Sequence, residues 1–533
     1  MGIFISVSKT AECVVIAVCF ALLLSAAAFK QAGVLQSSGY DNGKYFKWVK
    51  KKGNLAFERF ALLSLMCALG SAVLSLCFSF TGEWAAVISL SVYLLFFIVY
   101  FWADKKIALR SEAALTPRFL RLYAVYFFVC LVISYILVTL LNFADYVWGN
   151  PVFSCVRYCP LAVLPLAVIP FLTLANSVAK IYEIPHKGRF IKKAKAKLSE
   201  SNLKVIGITG SYGKTSTKFI LNSILSEKYR VLTTPRSHNT PIGIALAVNS
   251  AELENYDIFI AEMGARHVGD IAELCEICPP DVSLITGICG QHLETFGTFQ
   301  NIVKAKGEIL DYTKEKAIIA DDCFDLFAEY PCDKVRVNCV SEILPSSSGT
   351  EFVLTLGGKS RAVKTKLLGA HSAYNIGLAA EAAFAAGMTL DEIADAVSGL
   401  DFIEHRLQLI ESNGVNILDD GYNSNVKGAR AALEVLKLFD GGKRIVVTPG
   451  LVELGVLEED ENYSLGRALV GFDFVILVGD TLVQPVKRGY IEGGGDDGKI
   501  SVLPTLSAAQ ERLKEIISKG DAVLFLNDLP DVY

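Results

Sequence analysis

The stretch VIGITGSYGKTSTKFILNSIL, residues 205–225, decides the fold of the C-terminal two-thirds of the chain. A short apolar run typical of a buried strand leads into a glycine-bearing loop, which ends in Lys214 and Thr215 and is followed by a helical pattern. Gly210 and Gly213 let backbone N–H groups turn towards phosphate oxygens at a helix N-terminus. We therefore expect an ATP site formed by Gly210, Ser211, Gly213, Lys214, Thr215 and Ser216.

The loop departs from the common Walker pattern in one position, because Ile208 stands where that pattern has its first glycine. The other residues of the loop still supply the phosphate-binding groups of that pattern. The Lys214 ammonium is expected to reach the β- and γ-phosphates, and the Thr215 hydroxyl is expected to be a ligand of Mg²⁺. ATP and Mg²⁺ are therefore the expected cofactors.

Strand and helix patterns alternate from residue 204 onward, and a second alternation begins after about residue 405. Such alternation predicts α/β architecture, with a mostly parallel sheet covered by helices on both faces. An alanine-rich helix is expected at 373–387. Cys275 and Cys278 lie in an apolar helical stretch, and we expect them to face the core rather than bind a metal.

The N-terminal third is strongly apolar and raises the mean hydropathy of the 533-residue chain to +0.42. Five runs are long enough to cross a bilayer. They lie near residues 11–29, 60–80, 84–102, 122–142 and 159–178. These runs show neither paired charges nor broken helices, which argues against a transporter or pump. The net charge of −4 argues against a nucleic-acid partner.

Basic residues predict the orientation of these runs. Segment 30–59 carries seven Lys or Arg residues and segment 103–121 carries five, whereas the links at 81–83 and 143–158 carry only Arg157. By the positive-inside rule, we expect a multi-pass protein of the cell membrane whose catalytic domains are cytoplasmic. The basic stretch 186–198 is expected either to contact anionic headgroups or to form an ordinary solvated helix.

Further candidate residues follow other predicted strands. Glu262 ends the strand DIFIAEM, where it could hold Mg²⁺ opposite Thr215. His292 and Lys306 lie downstream of the next strand, and an Asp/Asn cluster, DDGYNSN, ends the first strand of the last domain. Taken singly, a loop histidine or a solvated helix lysine is the simpler interpretation of His292 and Lys306.

Taken together, the motifs resemble the Mur ligase family, and within it the MurF type. The matching stretches run in order between about residues 204 and 460: TGSYGKTS, PRSHNTPIG, AEMGA, QHLETFG, AKGEI, GAHSAYNIGLAAEAA, EHRLQ, DDGYNSN and TPGLVELG. The apolar runs predict a transmembrane region at 1–185, and the resemblance implies a central ATP-binding domain at 186–404 and a C-terminal Rossmann-like domain at 405–533. It also implies an ATP-dependent ligase of peptidoglycan synthesis that joins D-alanyl-D-alanine to a muramoyl-tripeptide through an acyl phosphate.

The resemblance assigns roles to individual residues. Lys214, Lys306 and His292 would be catalytic, and Thr215, Glu262, His292 and a carbamylated Lys306 would hold two Mg²⁺ ions. His371, Asn375, Arg406 and Asp420 would complete the ATP site. Asn239, Tyr422 and Asn423 would lie near the acceptor.

The sequence also departs from the MurF pattern. Apolar spans replace the usual UDP-binding domain, Val426 stands where proline is expected, and the last residues lack a Lys-Gly-Ser pattern. Several alternatives therefore stay open. The acceptor could be UDP-linked or lipid-linked, and the reaction could be amidation or amino-acid addition on a lipid-linked precursor. The chain could also be an ATP-binding scaffold of a wall-building complex.

Overall fold

The computed structural model describes the chain in nine ranges and divides it into two compact units. The described residues are 2–50, 56–77, 85–105, 113–235, 238–290, 293–422, 425–452, 454–479 and 482–527. The first unit ends at His186 and the second begins at Lys187. Each unit has hydrophobic clusters of its own.

The first unit is helical. Its helices are α1 (Gly2–Ser37), α2 (Asn42–Lys50), α3 (Ala56–Cys77), α4 (Ala85–Lys105), α5 (Pro117–Trp148), α6 (Pro151–Val156) and α7 (Val168–Ser199), the last of which continues into the second unit. Five segments are long and apolar enough to cross a membrane: Thr10–Ser37, Phe57–Leu74, Val87–Asp104, Pro117–Trp148 and Pro151–Ser199. The predicted runs correspond to these segments, except that residues 78–80 and 84 lie outside the described residues.

The last apolar segment is broken, contrary to the expectation from the sequence. A 3₁₀ helix at Cys159–Ala167 separates α6 from α7. Pro160 and Pro165 lie within it, and a proline lacks the N–H that an α-helix needs and clashes with the preceding turn. The run of apolar residues predicted the segment but not its interruption.

The expectation that the spans hold no paired charges is also wrong. The buried Arg157 guanidinium lies 3.1 Å from Glu12 Oε1 and 3.0 Å from Asp145 Oδ2. Glu12 and Arg157 are 145 residues apart in the sequence, so no local pattern indicates the pair. The first unit therefore contains both a charge pair and an interrupted helix, and these two features no longer argue against a transporter or pump.

The second unit begins with a parallel sheet, the central sheet. Its strands are β1 (Lys204–Thr209), β2 (Val231–Thr233), β3 (Ile258–Glu262), β4 (Val282–Ile285), β5 (Lys316–Ala320) and β6 (Lys334–Val337), in the spatial order β2-β3-β1-β4-β5-β6. The helices between them are α8 (Lys214–Ser226), α9 (Pro241–Ser250), α10 (Asp270–Ile277), α11 (Leu293–Phe296) and α12 (Phe299–Asp311). The carboxyl ends of β1, β3 and β4 therefore lie side by side.

Both faces of the central sheet are covered. A hairpin sheet, β7 (Val340–Ser346), β8 (Gly349–Leu356) and β9 (Lys359–Thr365), precedes α13 (Ala370–Ala385) and α14 (Leu390–Ser398). Helices α8 and α13 share one buried cluster with Ile206 and Ile260 of the sheet. Helices α9, α10 and α12 pack on the opposite face, where Cys275 and Cys278 are buried as expected.

A second six-stranded sheet, the C-terminal sheet, completes the unit. Its strands are β10 (Gln408–Ser412), β11 (Val415–Asp420), β12 (Arg444–Thr448), β13 (Phe474–Val478), β14 (Ile500–Leu503) and β15 (Ala522–Leu526), in the order β10-β11-β15-β12-β13-β14. Its helices are α15 (Val426–Leu436), α16 (Glu458–Ala468), α17 (Val483–Glu492) and α18 (Leu506–Ile516). Only β10 is antiparallel to its neighbour. The predicted α/β class is confirmed.

Candidate functional site

The glycine-bearing loop joins β1 to α8 with a backbone that needs glycine. Gly210 has φ +149° and Gly213 has φ +77°, both in the region that L-residues rarely adopt. A Cβ on Gly210 would lie 2.3 Å from Thr286 Oγ1. Ser211 N donates to Gly287 O at 2.8 Å, which ties the loop to the segment after β4. The loop is therefore held in one shape at the start of a helix.

Two cavities adjoin this loop, and each has a volume of about 500 Å³. The loop cavity is lined by the glycine-bearing loop and by residues that include Asn239, Glu262, Lys306, Arg406 and Tyr422. The cleft cavity is lined by Gly213, Ser216, His371, Asn375, Arg406 and Asp420, among others. Gly213, Ser216 and Arg406 line both. The two cavities together are large enough for a nucleotide and a second substrate.

Glu262 is the centre of a buried polar cluster at the carboxyl end of β3. Its Oε1 accepts hydrogen bonds from Thr215 Oγ1 at 3.1 Å and from Asn239 Nδ2 at 3.3 Å. Its Oε2 lies 3.1 Å from Lys218 Nζ, and both side chains are only 1% exposed. The structure thus brings together Thr215 and Glu262, which were expected on opposite sides of a Mg²⁺ ion, and it adds Asn239 and Lys218 to them.

Sequence reasoning missed Lys218, although a signal was present. Lys218 is four residues after Lys214 in α8, and residues four apart lie on the same face of a helix. Its ammonium also donates to Thr234 O at 3.0 Å. The Lys218 ammonium therefore compensates the charge of the buried Glu262 carboxylate at one oxygen, and the Thr215 hydroxyl and Asn239 amide contact its other oxygen.

Replacing Lys218 with methionine is expected to destabilise the second unit by about 3–5 kcal/mol, because it leaves the Glu262 carboxylate buried without its cation. Chemical denaturation of the purified chain measures the change in the free energy of unfolding. The double variant Lys218→Met with Glu262→Gln removes both charges and is expected to recover most of the loss. Equal stabilities of Lys218→Met and the unmodified protein would contradict the argument.

The residues around Glu262 fit a bound Mg²⁺, which prefers oxygen ligands. The Thr215 hydroxyl and Glu262 Oε1 are adjacent oxygens that could share one ion. His292 lies outside the described residues, and within them no group of three His, Cys, Asp or Glu side chains converges. Phosphate oxygens and water are further common ligands of Mg²⁺, and the expected contribution of His292 stays a prediction.

A half-buried lysine, Lys214, and a buried one, Lys306, line the loop cavity. Lys214 Nζ donates to Gly210 O at 2.7 Å, and burial lowers the pKa of its ammonium. Lys306 is 3% exposed on α12, and its Nζ lies 5.9 Å from the centre of the Phe296 ring. Burial, reinforced by the Lys214 charge, holds the pKa of Lys306 well below its usual value. The interpretation of Lys306 as a solvated helix residue is therefore wrong.

The cleft cavity contains the first turns of α13. His371 and Asn375 both line it, one helical turn apart. Burial lowers the pKa of His371 to about 4, so its imidazole is neutral at physiological pH and has one donor and one acceptor nitrogen. A Cβ on Gly213 would lie 2.8 Å from Asn375 Oδ1, so the helix approaches the loop closely.

Arg406 reaches both cavities from the segment before the C-terminal sheet. Its Nη1 donates to Tyr422 O at 3.2 Å, and its guanidinium carbon lies 4.3 Å from the centre of the Tyr422 ring. Leu407 N donates to Asp420 Oδ1 at 3.2 Å. The flanking residues His405 and Leu407 have φ +57° and +49°, which is unusual for side chains of this size. The structure thus positions Arg406, Asp420 and Tyr422 together.

The predicted site residues separate into three sets. The glycine-bearing loop, Asn239, Glu262, Lys306 and Tyr422 line the loop cavity, and His371, Asn375 and Asp420 line the cleft cavity. Arg406 lines both. His292 and Asn423 lie outside the described residues, so their roles stay predictions.

Two parts of the second unit match known protein families. Residues 208–383 match the Mur ligase middle domain, and residues 405–527 match the Mur ligase glutamate ligase domain. The chain is 32% identical over 346 residues to the UDP-N-acetylmuramoyl-tripeptide–D-alanyl-D-alanine ligase of Bacillus subtilis (strain 168). That alignment covers 62% of this chain and 74% of the relative. The ligase of the same name from Escherichia coli (strain K12) is 33% identical over 337 residues, 60% of this chain and 74% of that protein.

Solved structures of MurF ligases are also similar to this chain. The MurF ligase from Thermotoga maritima in complex with ADP superposes with a TM-score of 0.58 and 28% identity, covering 65% of this chain and 81% of that one. MurF from Acinetobacter baumannii gives a TM-score of 0.59 and 26% identity, covering 65% and 78%. The glycine-bearing loop, the cavities around it and these similarities agree, and the chain belongs to the Mur ligase family of ATP-dependent ligases.

Proposed function

We propose that the chain joins D-alanyl-D-alanine to a muramoyl-tripeptide in peptidoglycan precursor synthesis. The observation that carries the proposal is the 32% identity to the Bacillus subtilis ligase of that name, over 74% of its length. The cavity geometry supports it, because Lys214, Thr215 and Glu262 line one cavity large enough for the phosphates and a second substrate.

The proposed chemistry has two steps. The acceptor carboxylate attacks the γ-phosphorus of ATP, and ADP leaves, so that an acyl phosphate forms. The amine then attacks the acyl carbon, loses a proton, and displaces inorganic phosphate. The first step is needed because a free carboxylate has no adequate leaving group. Protein groups mainly position the reactants and compensate charge.

Individual residues would serve these steps. The Lys214 ammonium would neutralise phosphate charge, together with backbone N–H groups of the loop. Mg²⁺ held by Thr215 and Glu262 would further offset charge on the phosphate oxygens. Lys306, as a neutral amine, would add to CO₂ and lose a proton, and the resulting carbamate oxygens would be available to a second Mg²⁺. Neutral His371 and Asn375 would contact the nucleotide from the cleft cavity.

The direct test is product analysis. Full-length protein in detergent would receive ATP, MgCl₂, UDP-linked muramoyl-tripeptide and D-alanyl-D-alanine, and mass spectrometry would identify the product. A product heavier than the acceptor by the dipeptide minus one water supports the proposal. Omission of each substrate in turn is the control. ATP consumption without that product, or with a single amino acid or ammonia in its place, would contradict it.

We also propose that residues 1–185 form a multi-pass region of the cell membrane, with domains 186–404 and 405–533 in the cytoplasm. Five apolar segments support this arrangement, as does the concentration of basic residues in segments 30–59 and 103–121.

The orientation of the first unit is testable by labelling. Reporter tags inserted in 40–55 or 104–118 are expected to be shielded from impermeant reagents in intact cells, whereas a tag at 148–152 is expected to react. The reason is that basic loops remain on the cytoplasmic side. Permeabilised cells, in which all tags should react, are the control. The opposite labelling pattern would contradict the orientation and place the ATP site on the wrong side of the membrane.

A second candidate is ligation onto a lipid-linked acceptor, by amidation or amino-acid addition. The five apolar segments favour it, since a soluble acceptor does not require them. The basic stretch 186–198 forms the C-terminal end of the last of these segments, and Lys187, Lys192, Lys193 and Lys195 are exposed. Attraction of these lysines to anionic headgroups would hold the site near the membrane surface. A lipid-linked substrate would then have an effective concentration of roughly millimolar, as it would on a short tether.

A competition separates the two acceptors. Full-length protein in anionic nanodiscs would receive equal amounts of UDP-linked and lipid-linked tripeptide with the same amine. A kcat/KM for the UDP-linked form that equals or exceeds the lipid-linked value would reject the second candidate. Products from neither acceptor, despite nucleotide binding, would instead favour an ATP-binding scaffold.

A further inference from the structure

Two arginines and a buried carboxylate meet at one end of the first unit. Arg118 and Arg121 lie one turn apart at the start of α5, and Glu183 lies on α7. Arg118 Nη2 is 3.0 Å from Glu183 Oε2, and Arg121 Nη2 is 3.9 Å from Glu183 Oε1. The Glu183 side chain is 10% exposed, whereas that of Arg121 is 53% exposed. A single carboxylate therefore faces two guanidinium groups, and its charge can neutralise only one of them.

The turn between α1 and α2 lies against the same pair of arginines. The guanidinium carbon of Arg118 is 3.9 Å from the centre of the Tyr40 ring. The Tyr40 carbonyl accepts a hydrogen bond from Asn176 Nδ2 at 2.9 Å. The same Asn176 amide donates to Asn42 Oδ1 at 2.7 Å. Because Asn176 belongs to α7, these contacts fix the turn between α5 and α7.

Two ammonium groups adjoin this turn. Lys44 N donates to Asp41 Oδ1 at 3.0 Å, and Lys180 lies one turn before Glu183 on α7. The hydrogen bond from Lys44 N, with the positive charges of Lys180 and Lys44, lowers the pKa of the Asp41 carboxyl. We call these four basic and two acidic side chains the basic cluster: Lys44, Arg118, Arg121, Lys180, Asp41 and Glu183.

The basic cluster has more positive charge than its contacts within the protein require. Four cations face two carboxylates, so two positive charges remain uncompensated within the part of the chain that the structure describes. The pair of Arg118 and Glu183 would by itself tie α5 to α7. Further cations beside this pair repel one another, which costs free energy unless an anion joins them. The surplus charge therefore indicates an anionic ligand.

The surroundings of the basic cluster favour a lipid over a soluble anion. Ile181 and Ile184 flank Lys180 on α7, and these two side chains are 72% and 66% exposed. The cluster also lies where the apolar segment Thr10–Ser37 ends and the segment Pro117–Trp148 begins. Basic pockets between membrane helices at the cytoplasmic surface are typical sites for anionic headgroups. Exposed apolar side chains beside cations match a ligand that has both a phosphate and acyl chains.

We propose that the basic cluster binds the phosphate of an anionic phospholipid at the cytoplasmic surface of the membrane. This inference rests on the proposed membrane region and not on the proposed ligase reaction. The planar guanidinium of Arg121 donates parallel hydrogen bonds to two phosphate oxygens. Lys44 and Lys180 add positive charge beside the headgroup, and Ile181 and Ile184 contact the acyl chains. The lipid phosphate thus supplies negative charge that the cluster lacks.

The test measures lipid affinity. Phosphatidylglycerol would be titrated into full-length protein in detergent, and native mass spectrometry would give the affinity of the bound lipid. We expect about fivefold weaker binding for Arg121→Gln, and roughly twenty-fivefold weaker binding when Lys180→Gln is added, because each basic side chain contributes a similar attraction. Arg118 stays unchanged in both variants, since it compensates the buried Glu183 carboxylate. Thermal unfolding without added lipid would verify that both variants are folded.

The matched control is Lys50→Gln, because Lys50 is an exposed residue at the end of α2 and lies outside the basic cluster. Its affinity for phosphatidylglycerol is expected to stay within about twofold of the unmodified value, since it does not contact the phosphate. Phosphatidylcholine, whose headgroup has no net charge, is expected to bind more weakly than phosphatidylglycerol.

Three results would overturn the proposal. An equal loss of affinity in Lys50→Gln and Arg121→Gln would show diffuse attraction without a site. Equal affinities for the two phospholipids would show that the headgroup charge is not recognised. Binding of a polyprenyl phosphate without binding of phosphatidylglycerol would assign the cluster to a lipid-linked acceptor instead. Because lipid binding needs neither ATP nor an amine, failure of the proposed ligase reaction would leave these results unaffected.

Discussion

Replacing Lys214 with alanine is expected to reduce kcat for phosphate release at least about a hundredfold, the usual effect of removing a preorganised charge partner from a reaction centre. Lys214 Nζ lies over the loop, 2.7 Å from Gly210 O, at the start of α8. In the proposed reaction, its charge would offset the negative charge that moves onto the leaving ADP. Coupled phosphate detection with saturating substrates measures the change.

The matched control for Lys214 is Lys228→Ala. Lys228 lies just beyond the end of α8, is half-exposed, and forms an ion pair with Glu392 at 3.1 Å. Its removal is expected to leave kcat within about twofold of the unmodified value. Circular dichroism would verify that Lys214→Ala is folded. Near-normal turnover in Lys214→Ala would show that the loop does not hold the reacting phosphates.

Local patterns predicted most of the second unit because its strands are buried and its helices amphipathic. The strand at 204–209, the loop after it and α8 follow directly from VIGITGSYGKTSTKFILNSIL. The antiparallel edge strand β10 was not predicted, although the Asn413-Gly414 turn that joins it to β11 is a local hairpin signal in the sequence. The break at Cys159–Ala167 was missed for a different reason, since hydropathy averages over the prolines that cause it.

The site was predictable where motifs carry the chemistry and not where contacts are long-range. Thr215 and Glu262 were expected near one another, and together with Asn239 they form one hydrogen-bonded cluster. Lys427 Nζ donates to Asp322 Oδ2 at 2.8 Å, although the two residues are 105 positions apart in the sequence. Neither residue lies in one of the motifs. Their pairing depends on how two sheets pack, and single-sequence reasoning does not reach that level.

Lys306 is a buried amine that no carboxylate contacts closely within the described residues. Its Nζ donates a long hydrogen bond to Ala265 O at 3.5 Å. Burial and the nearby Lys214 charge depress the pKa of Lys306, which increases the fraction present as the neutral amine. Only the neutral amine adds to CO₂. A carbamate would reverse the local charge and let this position attract Mg²⁺ beside Lys214, whereas an ammonium would repel it.

Lys306→Ala is therefore expected to lower kcat at least about a hundredfold, the scale for losing a preorganised charge at the reacting phosphates, and small carboxylates such as formate or acetate are expected to restore part of the activity. The rescuing anion would occupy the space left by the side chain and supply the missing negative charge. Lys304→Ala is the matched control, because Lys304 lies on the same helix but faces solvent, and it should remain fully active. Removal of CO₂ and bicarbonate should slow the unmodified protein and leave the acetate-rescued variant unaffected. Full activity of Lys306→Ala without added carboxylate would refute the carbamate and leave Lys306 as a buried lysine of the helix core.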